Sequence, residues 1–206
     1  ALAITASYAF AIWLAPILIR NFEIPVSQAG MYLGIVWIVG GVPGMIIGGY
    51  LTDRLALRNP KWRAWYCAIV VLLALPFLCL CLLTDNLVLA LVLYALGYGT
   101  LSSTQGAAIA MMQSSVSPTE RGTASSIHSL SSAFLGYLIG PVVAGAISDR
   151  LAPDYGTMSL NYAVIAITMV SLTLAIFGYL YAARAVQGPS PKSPDHNNNS
   201  PSAIKV

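Results

Sequence analysis

Five side chains with a polar tip or a soft sulfur recur on one face of an apolar stretch: Tyr94, Tyr98, Ser102, Gln105 and Met112. Their spacing keeps them on one side of a helix. Aromatic rings with hydroxyl and amide tips suit an amphipathic or lipid-like ligand, since each offers apolar area plus a hydrogen bond. The same residues could serve interhelical packing, with the tyrosine hydroxyls bonded to backbone. Tyr8 and Trp13 are comparable candidates in the first apolar stretch, and Trp13 could equally pack against a neighbouring helix. His128 is the one ionisable side chain well inside an apolar segment, with Ser132 one turn on. Polar groups at such depth are costly and face a cavity or a partner. Two readings stand for His128: a proton relay, because its intrinsic pKa is near neutral, or a neutral imidazole bonded to serine or backbone, which is the favoured one. Cys67, Cys79 and Cys81 share one apolar run. A C-x-C pair without nearby histidine or acid is a poor metal site, so the thiols read as small apolar side chains. No disulfide framework, metal or cofactor is expected.

The elements that carry these residues are membrane helices. Only 8% of the 206 residues are charged and 57% are hydrophobic, whereas a soluble domain carries roughly a quarter charged residues. The net charge of +3 is small and dispersed, which argues against nucleic-acid binding. Spans need about 20 mostly apolar residues. Six fit, at about 3–19, 30–51, 64–83, 87–112, 123–147 and 161–183. The second is read as stopping at Thr52-Asp53-Arg54, followed by a basic loop from Thr52 to Arg63. Placing that loop in the cytoplasm puts Arg54, Arg58, Lys61, Arg63, Arg121, Arg184, Lys192 and Lys205 inside and only Arg20 and Arg150 outside, the bias that sets orientation. Residues 186–206 are rich in Pro, Ser and Asn and read as a disordered cytoplasmic tail, with His196 a solvated residue in it. The chain lacks an initiator Met and opens inside an apolar run, so it reads as a fragment.

Gly40, Gly44 and Gly48 form a small-residue stripe in the second span, where a neighbouring backbone can come close. The fifth span repeats it with Ser132, Gly136, Gly140 and Ala144. Each stripe runs into the pattern G-x-x-[ST]-D-R-L, at Gly49–Leu55 and Gly145–Leu151, and Pro43 and Pro141 precede them. Two copies three spans apart exit on opposite faces, which reads as an inverted repeat of two three-helix units.

These residues resemble the C-terminal half, helices 7 to 12, of a major facilitator superfamily transporter. The family's cytoplasmic loop signature is matched by Gly49, Asp53, Arg54 and Arg58, with Ala56 and Asn59 where it has a second Gly and a second basic residue. Pro118–Gly122 resembles the loop before the eleventh helix, and there Ser117, Pro118 and Glu120 fit a capping box. Within the superfamily, Ala11–Pro16, Trp62–Trp65 and Pro118–Ser126 are similar to the spinster-like branch.

The resemblance implies an all-α membrane protein whose six transmembrane helices form one half of a twelve-helix fold. It implies a central cavity lined by the first and fourth spans, here with Tyr8, Trp13, Tyr94, Tyr98, Ser102 and Gln105; His128 and Ser132 of the fifth span are counted with that cavity from the residue reading. The second and fifth spans would face the other half. Asp53, Arg54, Arg58, Glu120 and Arg121 would belong to cytoplasmic gating, Asp53 accepting hydrogen bonds from a helix N-terminus of the other half. The expected partners are the lipid bilayer, an N-terminal six-helix half and a small-molecule or lysophospholipid-like substrate. No Asp or Glu lies deep in a span, so a proton-coupling carboxylate would sit in the other half. The runner-up is a drug or metabolite exporter of the same superfamily. A rhomboid-like protease is remote, because no Gly-x-Ser-Gly occurs. A channel is remoter still, and a dimerising six-helix unit remains open.

Overall fold

A computed structural model describes residues 2–59 and 61–185. The expected tail at 186–206 lies outside the described residues. Among these, helix α1 spans Leu2–Phe22, α2 Val26–Val36, α3 Val42–Arg58, α4 Lys61–Leu83, α5 Leu87–Ser114, α6 Arg121–Ala133, α7 Gly140–Tyr155 and α8 Ser159–Ala185.

Two of the joints are not breaks. A π turn at Trp37–Gly41 connects α2 to α3, and another at Phe134–Ile139 connects α6 to α7. Each is followed by a proline at the second position of the next helix, Pro43 and Pro141. A proline ring collides with the carbonyl four residues earlier. In both places that carbonyl, of Val39 or Tyr137, lies inside the π turn, whose extra residue makes room. The prolines are visible in the sequence, but the π turns they force are not.

The helical segments also run further than their apolar stretches. The basic segment after Leu51 is not a loop: α3 continues to Arg58. Thr52 turns its hydroxyl back onto the Gly48 carbonyl at 2.6 Å, and Arg58 suits the negative end of the helix dipole. Asn59 is extended, as the residue before a proline prefers, and its side-chain oxygen accepts from the Lys61 amide at 3.0 Å. Similarly α7 runs on through Asp149-Arg150 to Tyr155. The capping box expected at Ser117–Glu120 does not form. Glu120 donates its amide to the Ser117 carbonyl at 3.0 Å in a turn, and the Ser117 hydroxyl donates to the Glu120 carboxylate at 2.7 Å. α6 starts only at Arg121, with Glu120 at its N-cap and no side-chain cap bond.

Among the described residues, five helical stretches are long and apolar enough to cross a membrane. The last, Arg121–Arg184, has 64 residues and is interrupted at Gly156–Met158 by one 3₁₀ turn, with Gly156 at φ +53°. That left-handed conformation is open to glycine at little cost. The core is built from α1, α4, α5 and α8, with Phe10, Leu18, Val71, Leu78, Tyr94, Leu160, Val164 and Leu172 buried. Asn161 ties α8 to the end of α4 through a 2.8 Å bond to the Leu82 carbonyl. Ile69, Leu72 and Leu73 on α4 and Val170, Leu174 and Phe177 on α8 are exposed, which only an apolar solvent tolerates over such a surface.

Both glycine stripes are packing surfaces. A Cβ on Gly40, Gly44 or Gly48 would overlap the carbonyl oxygens of Ala95, Gly99 and Ser103 respectively. The register rises together on the two helices, so α3 and α5 run in the same direction. The second stripe packs on α1. A Cβ on Gly136 would overlap the Tyr8 ring, one on Gly140 would come within 3.0 Å of Thr5 Cγ2, and one on Gly145 within 3.3 Å of Trp13 Cζ2.

Candidate functional site

Four helix ends meet at one end of the bundle: the start of α1, the end of α5, the start of α6 and the end of α8. They border an open pocket of about 390 Å³. Its walls are mostly apolar, with Met111, Met112, Ala108 and Ala175 prominent, and His128, Ser115 and Tyr179 supply polar groups. A void of about 30 Å³ adjoins it, bordered by Thr104, Gln105, His128 and Tyr179. Gln105 and His128, read separately from the sequence, are therefore brought to one place from α5 and α6, with Met112 beside them. His128 is half-buried. Ser132 does not partner it: the Ser132 hydroxyl is buried with no hydrogen-bond partner. An apolar wall with an amide, an imidazole and a phenol on its rim can hold an apolar body and orient one polar group.

The upper half of the polar stripe goes elsewhere. Tyr94 is 1% exposed, stacked on Phe10 with ring centroids 5.6 Å apart, and its hydroxyl accepts from Trp37 Nε1 at 3.4 Å. Tyr98 lies 5.8 Å from Tyr94 and 6.4 Å from Trp37, ring to ring, against Gly41. Ser102 is buried. The expected continuous face from Tyr94 to Met112 is thus split into an aromatic packing cluster and a cavity wall. Trp13 donates from Nε1 to the Pro141 carbonyl at 3.0 Å, and Tyr8 packs on Tyr137 with ring centroids 3.8 Å apart. Both join α1 to the fifth apolar segment. Sequence reasoning missed Trp37, Tyr137 and Tyr179, because their partners lie on helices whose adjacency no local pattern encodes.

The charged residues sit at the helix ends. Asp53 is 78% exposed and its carboxylate lies 3.6 Å from Arg63 Nη2, a separation and exposure at which an ion pair contributes little. Arg54 donates to the Tyr50 hydroxyl at 2.7 Å. Arg58, Glu120 and Arg121 are exposed. Every described carboxylate is exposed. No cluster of histidine, cysteine and acid suited to a metal occurs among the described residues, and Cys67 and Cys81 are buried free thiols in α4.

Residues 1–134 match the Major Facilitator Superfamily. The chain belongs to that superfamily. It is an integral membrane protein, and its relatives are transporters rather than enzymes. It is 32% identical over 180 residues to an MFS-type efflux pump of Mycolicibacterium smegmatis, covering 87% of this chain and 42% of the pump. It is 30% identical over 131 residues to Protein spinster homolog 1 of Bos taurus, covering 63% of this chain and 25% of that protein. The fold is similar to the crystal structure of a bacterial homologue of the human lysosomal transporter Spinster in an inward-facing, occupied conformation. There the TM-score is 0.78 and the identity 21%, over 90% of this chain and 47% of that one. The chain thus spans less than half the length of the relatives it matches.

Proposed function

We propose that the chain is the six-helix C-terminal half, helices 7 to 12, of a spinster-like secondary transporter that moves a small or amphipathic organic solute by alternating access. The 64-residue stretch is about 96 Å of helix at 1.5 Å per residue, far more than a hydrocarbon core of about 30 Å. Its interruption at Gly156–Met158 divides it into two crossings, giving six spans. The two stripes support an inverted repeat. Gly40, Gly44 and Gly49 align with Gly136, Gly140 and Gly145, and each stripe begins inside a π turn and precedes a D-R-L end. The second span packs on the fourth and the fifth on the first, the exchange a two-fold between three-helix units produces.

The basic helix end supports an orientation in which the α3–α4 joint and the pocket mouth face the cytoplasm, in the plasma or inner membrane. Asp53, Arg54, Arg58, Glu120 and Arg121 then lie on the cytoplasmic rim, free to meet helix ends of the N-terminal half as that side closes. A proton-coupling carboxylate belongs to that other half, since the carboxylates described here are all exposed at helix ends.

The observation that carries the reading is that Gln105 and His128 border one small void, which adjoins the larger pocket lined by His128 and Met112. The test is uptake of a fluorescent lysophosphatidylcholine by vesicles holding the full-length protein. Gln105→Ala should raise KM about tenfold, a loss of roughly 1.4 kcal/mol, with protein level unchanged. An unchanged KM for both Gln105→Ala and His128→Asn removes the cavity from the pathway. The second reading, drug or metabolite efflux, is favoured by the likeness to the mycobacterial pump. It predicts competition by an amphipathic cationic dye in place of lysophospholipid uptake.

A further inference from the structure

The two D-R-L ends share a pattern and differ in charge. After Asp53-Arg54-Leu55 the chain adds Arg58, Lys61 and Arg63, with no further acid before Asp85. After Asp149-Arg150-Leu151 it adds Asp154, with no further cation before Arg184. Two tryptophans, Trp62 and Trp65, interleave with the cations of the first copy, and the second copy has none there. A repeat accounts for what the copies share. The three added cations and the two indoles belong to the α3–α4 joint alone.

The start of α4 sets where these side chains stand. Trp65, Ile69, Leu72, Leu73, Leu80 and Leu83 are exposed, while Ala64, Val71 and Ala74 are buried. The exposed set follows helical spacing and makes one apolar stripe down the outer side of the helix. Trp62 is exposed at the head of that stripe, at the level where indoles anchor a span to the bilayer interface. Helix geometry turns Lys61 and Arg63 about 100° to either side of it. Arg63 reaches back towards α3, yet its donors are unmet. Its Nη2 stands 3.6 Å from the Asp53 carboxylate, too long for a hydrogen bond, and its Nε is buried with no partner. Among the described residues no other ion pair occurs, so Arg58 and Lys61 have no carboxylate against them. A partly buried guanidinium with an orphaned donor favours an acceptor, and a phosphate matches its fork of N–H groups.

We infer that the α3–α4 joint binds the phosphate headgroups of anionic phospholipids, held by Lys61 and Arg63 while Trp62 and Trp65 seat in the layer beneath. Charge complementarity selects this partner. The joint carries Arg54, Arg58, Lys61 and Arg63 against Asp53, and each Lys or Arg at a membrane surface strengthens attraction to anionic lipid about fivefold. A carboxylate from another protein segment would answer the cations and leave the indoles and their apolar stripe unmatched. A phospholipid supplies both, phosphate at the level of Lys61 and Arg63 and acyl chain along the stripe. Lipid held there draws the end of α3 and the start of α4 together through Arg63. Which leaflet supplies it rests on the orientation proposed above; the binding surface itself does not.

The test is quenching of tryptophan fluorescence in the full-length protein, in phosphatidylcholine vesicles holding a small fraction of phosphatidylglycerol brominated high on its acyl chains. The reference is the same fraction of brominated phosphatidylcholine. Phosphatidylglycerol should quench several-fold more per lipid at low salt, and the excess should shrink at high salt. Trp62→Phe with Trp65→Phe should remove the excess; an excess that survives lies elsewhere and overturns the assignment. Lys61→Gln with Arg63→Gln should bring the two lipids level, whereas Arg20→Gln with Arg150→Gln, near the ends of α1 and α7, should leave the excess intact. Equal quenching by the two lipids in the wild type overturns the inference. No quenching by either means that protein covers the joint, with the same consequence. Loss of the excess on adding inorganic phosphate at constant ionic strength means a free anion in place of lipid and also overturns it. The wild-type comparison decides if a variant fails to fold. An excess seen only when the brominated lipid is confined to the outer leaflet upholds the surface and reverses the proposed orientation, so the two fail separately.

Discussion

The two glycine stripes occupy equivalent places and meet different surfaces. Gly40, Gly44 and Gly48 face backbone: the atoms a Cβ would strike are carbonyl oxygens of α5. Gly136 and Gly145 face side chains, the Tyr8 ring and the Trp13 indole, and Gly140 meets the Thr5 methyl at 3.0 Å with the Thr5 carbonyl oxygen at 3.2 Å. A carbonyl in a helix cannot retreat without moving the helix. A tyrosine ring can change rotamer. The first interface is therefore fixed in position and the second has give, although their sequences read alike. Under the proposed alternating-access reading, a rigid α3–α5 pair beside an adjustable α1–α7 contact separates the part that holds its shape from the part that accommodates movement.

The largest expected effect comes from breaking the rigid side. Gly44→Ala should destabilise the protein by about 3 kcal/mol or more, the upper end of the cost of overpacking, visible as loss of folded protein on heating in detergent. Gly136→Ala should cost about 1 kcal/mol, because the obstacle is a side chain. Combining it with Tyr8→Ala should recover most of that loss, so a double-mutant cycle reads the contact directly. No corresponding rescue exists for Gly44. Trp13→Phe removes the one hydrogen bond from α1 to the Pro141 carbonyl and should cost about 0.5–1.5 kcal/mol. Gly145→Ala is the smallest, under about 1 kcal/mol, because its Cβ needs only a few tenths of an ångström from the indole edge. Equal losses for Gly44→Ala and Gly136→Ala would erase the distinction.

What the sequence made legible follows the reach of each pattern. Apolar runs, the basic helix end and the two D-R-L copies are local, and the apolar runs gave the membrane class and its helices. The glycine spacing predicted close approach correctly but not what is approached, since a stripe carries no record of the facing surface. The polar stripe on α5 failed in part for the same reason. Periodicity puts Tyr94, Tyr98, Gln105 and Met112 on one face, but a 28-residue helix passes several neighbours along its length. Its upper part meets Phe10 and Trp37 and is closed. Its lower part opens beside His128. Helix ends were misjudged where polar residues continue a helix past its apolar stretch, as at Asp53–Arg58, because hydropathy marks the bilayer and not the hydrogen-bond ladder.

The account stands on two three-helix units of opposite topology, and the most direct test is which side each D-R-L end faces. Leu57→Cys, on a residue 88% exposed at the end of α3, and Asp154→Cys, at the exposed end of α7, would be made singly with Cys67, Cys79 and Cys81 replaced by serine. Intact cells are then treated with a membrane-impermeant maleimide before and after permeabilisation. The predicted result is labelling at position 154 in intact cells and at position 57 only after permeabilisation. Labelling of both from the same side would leave the stretch from Arg121 to Arg184 without its second crossing, and the inverted repeat with it.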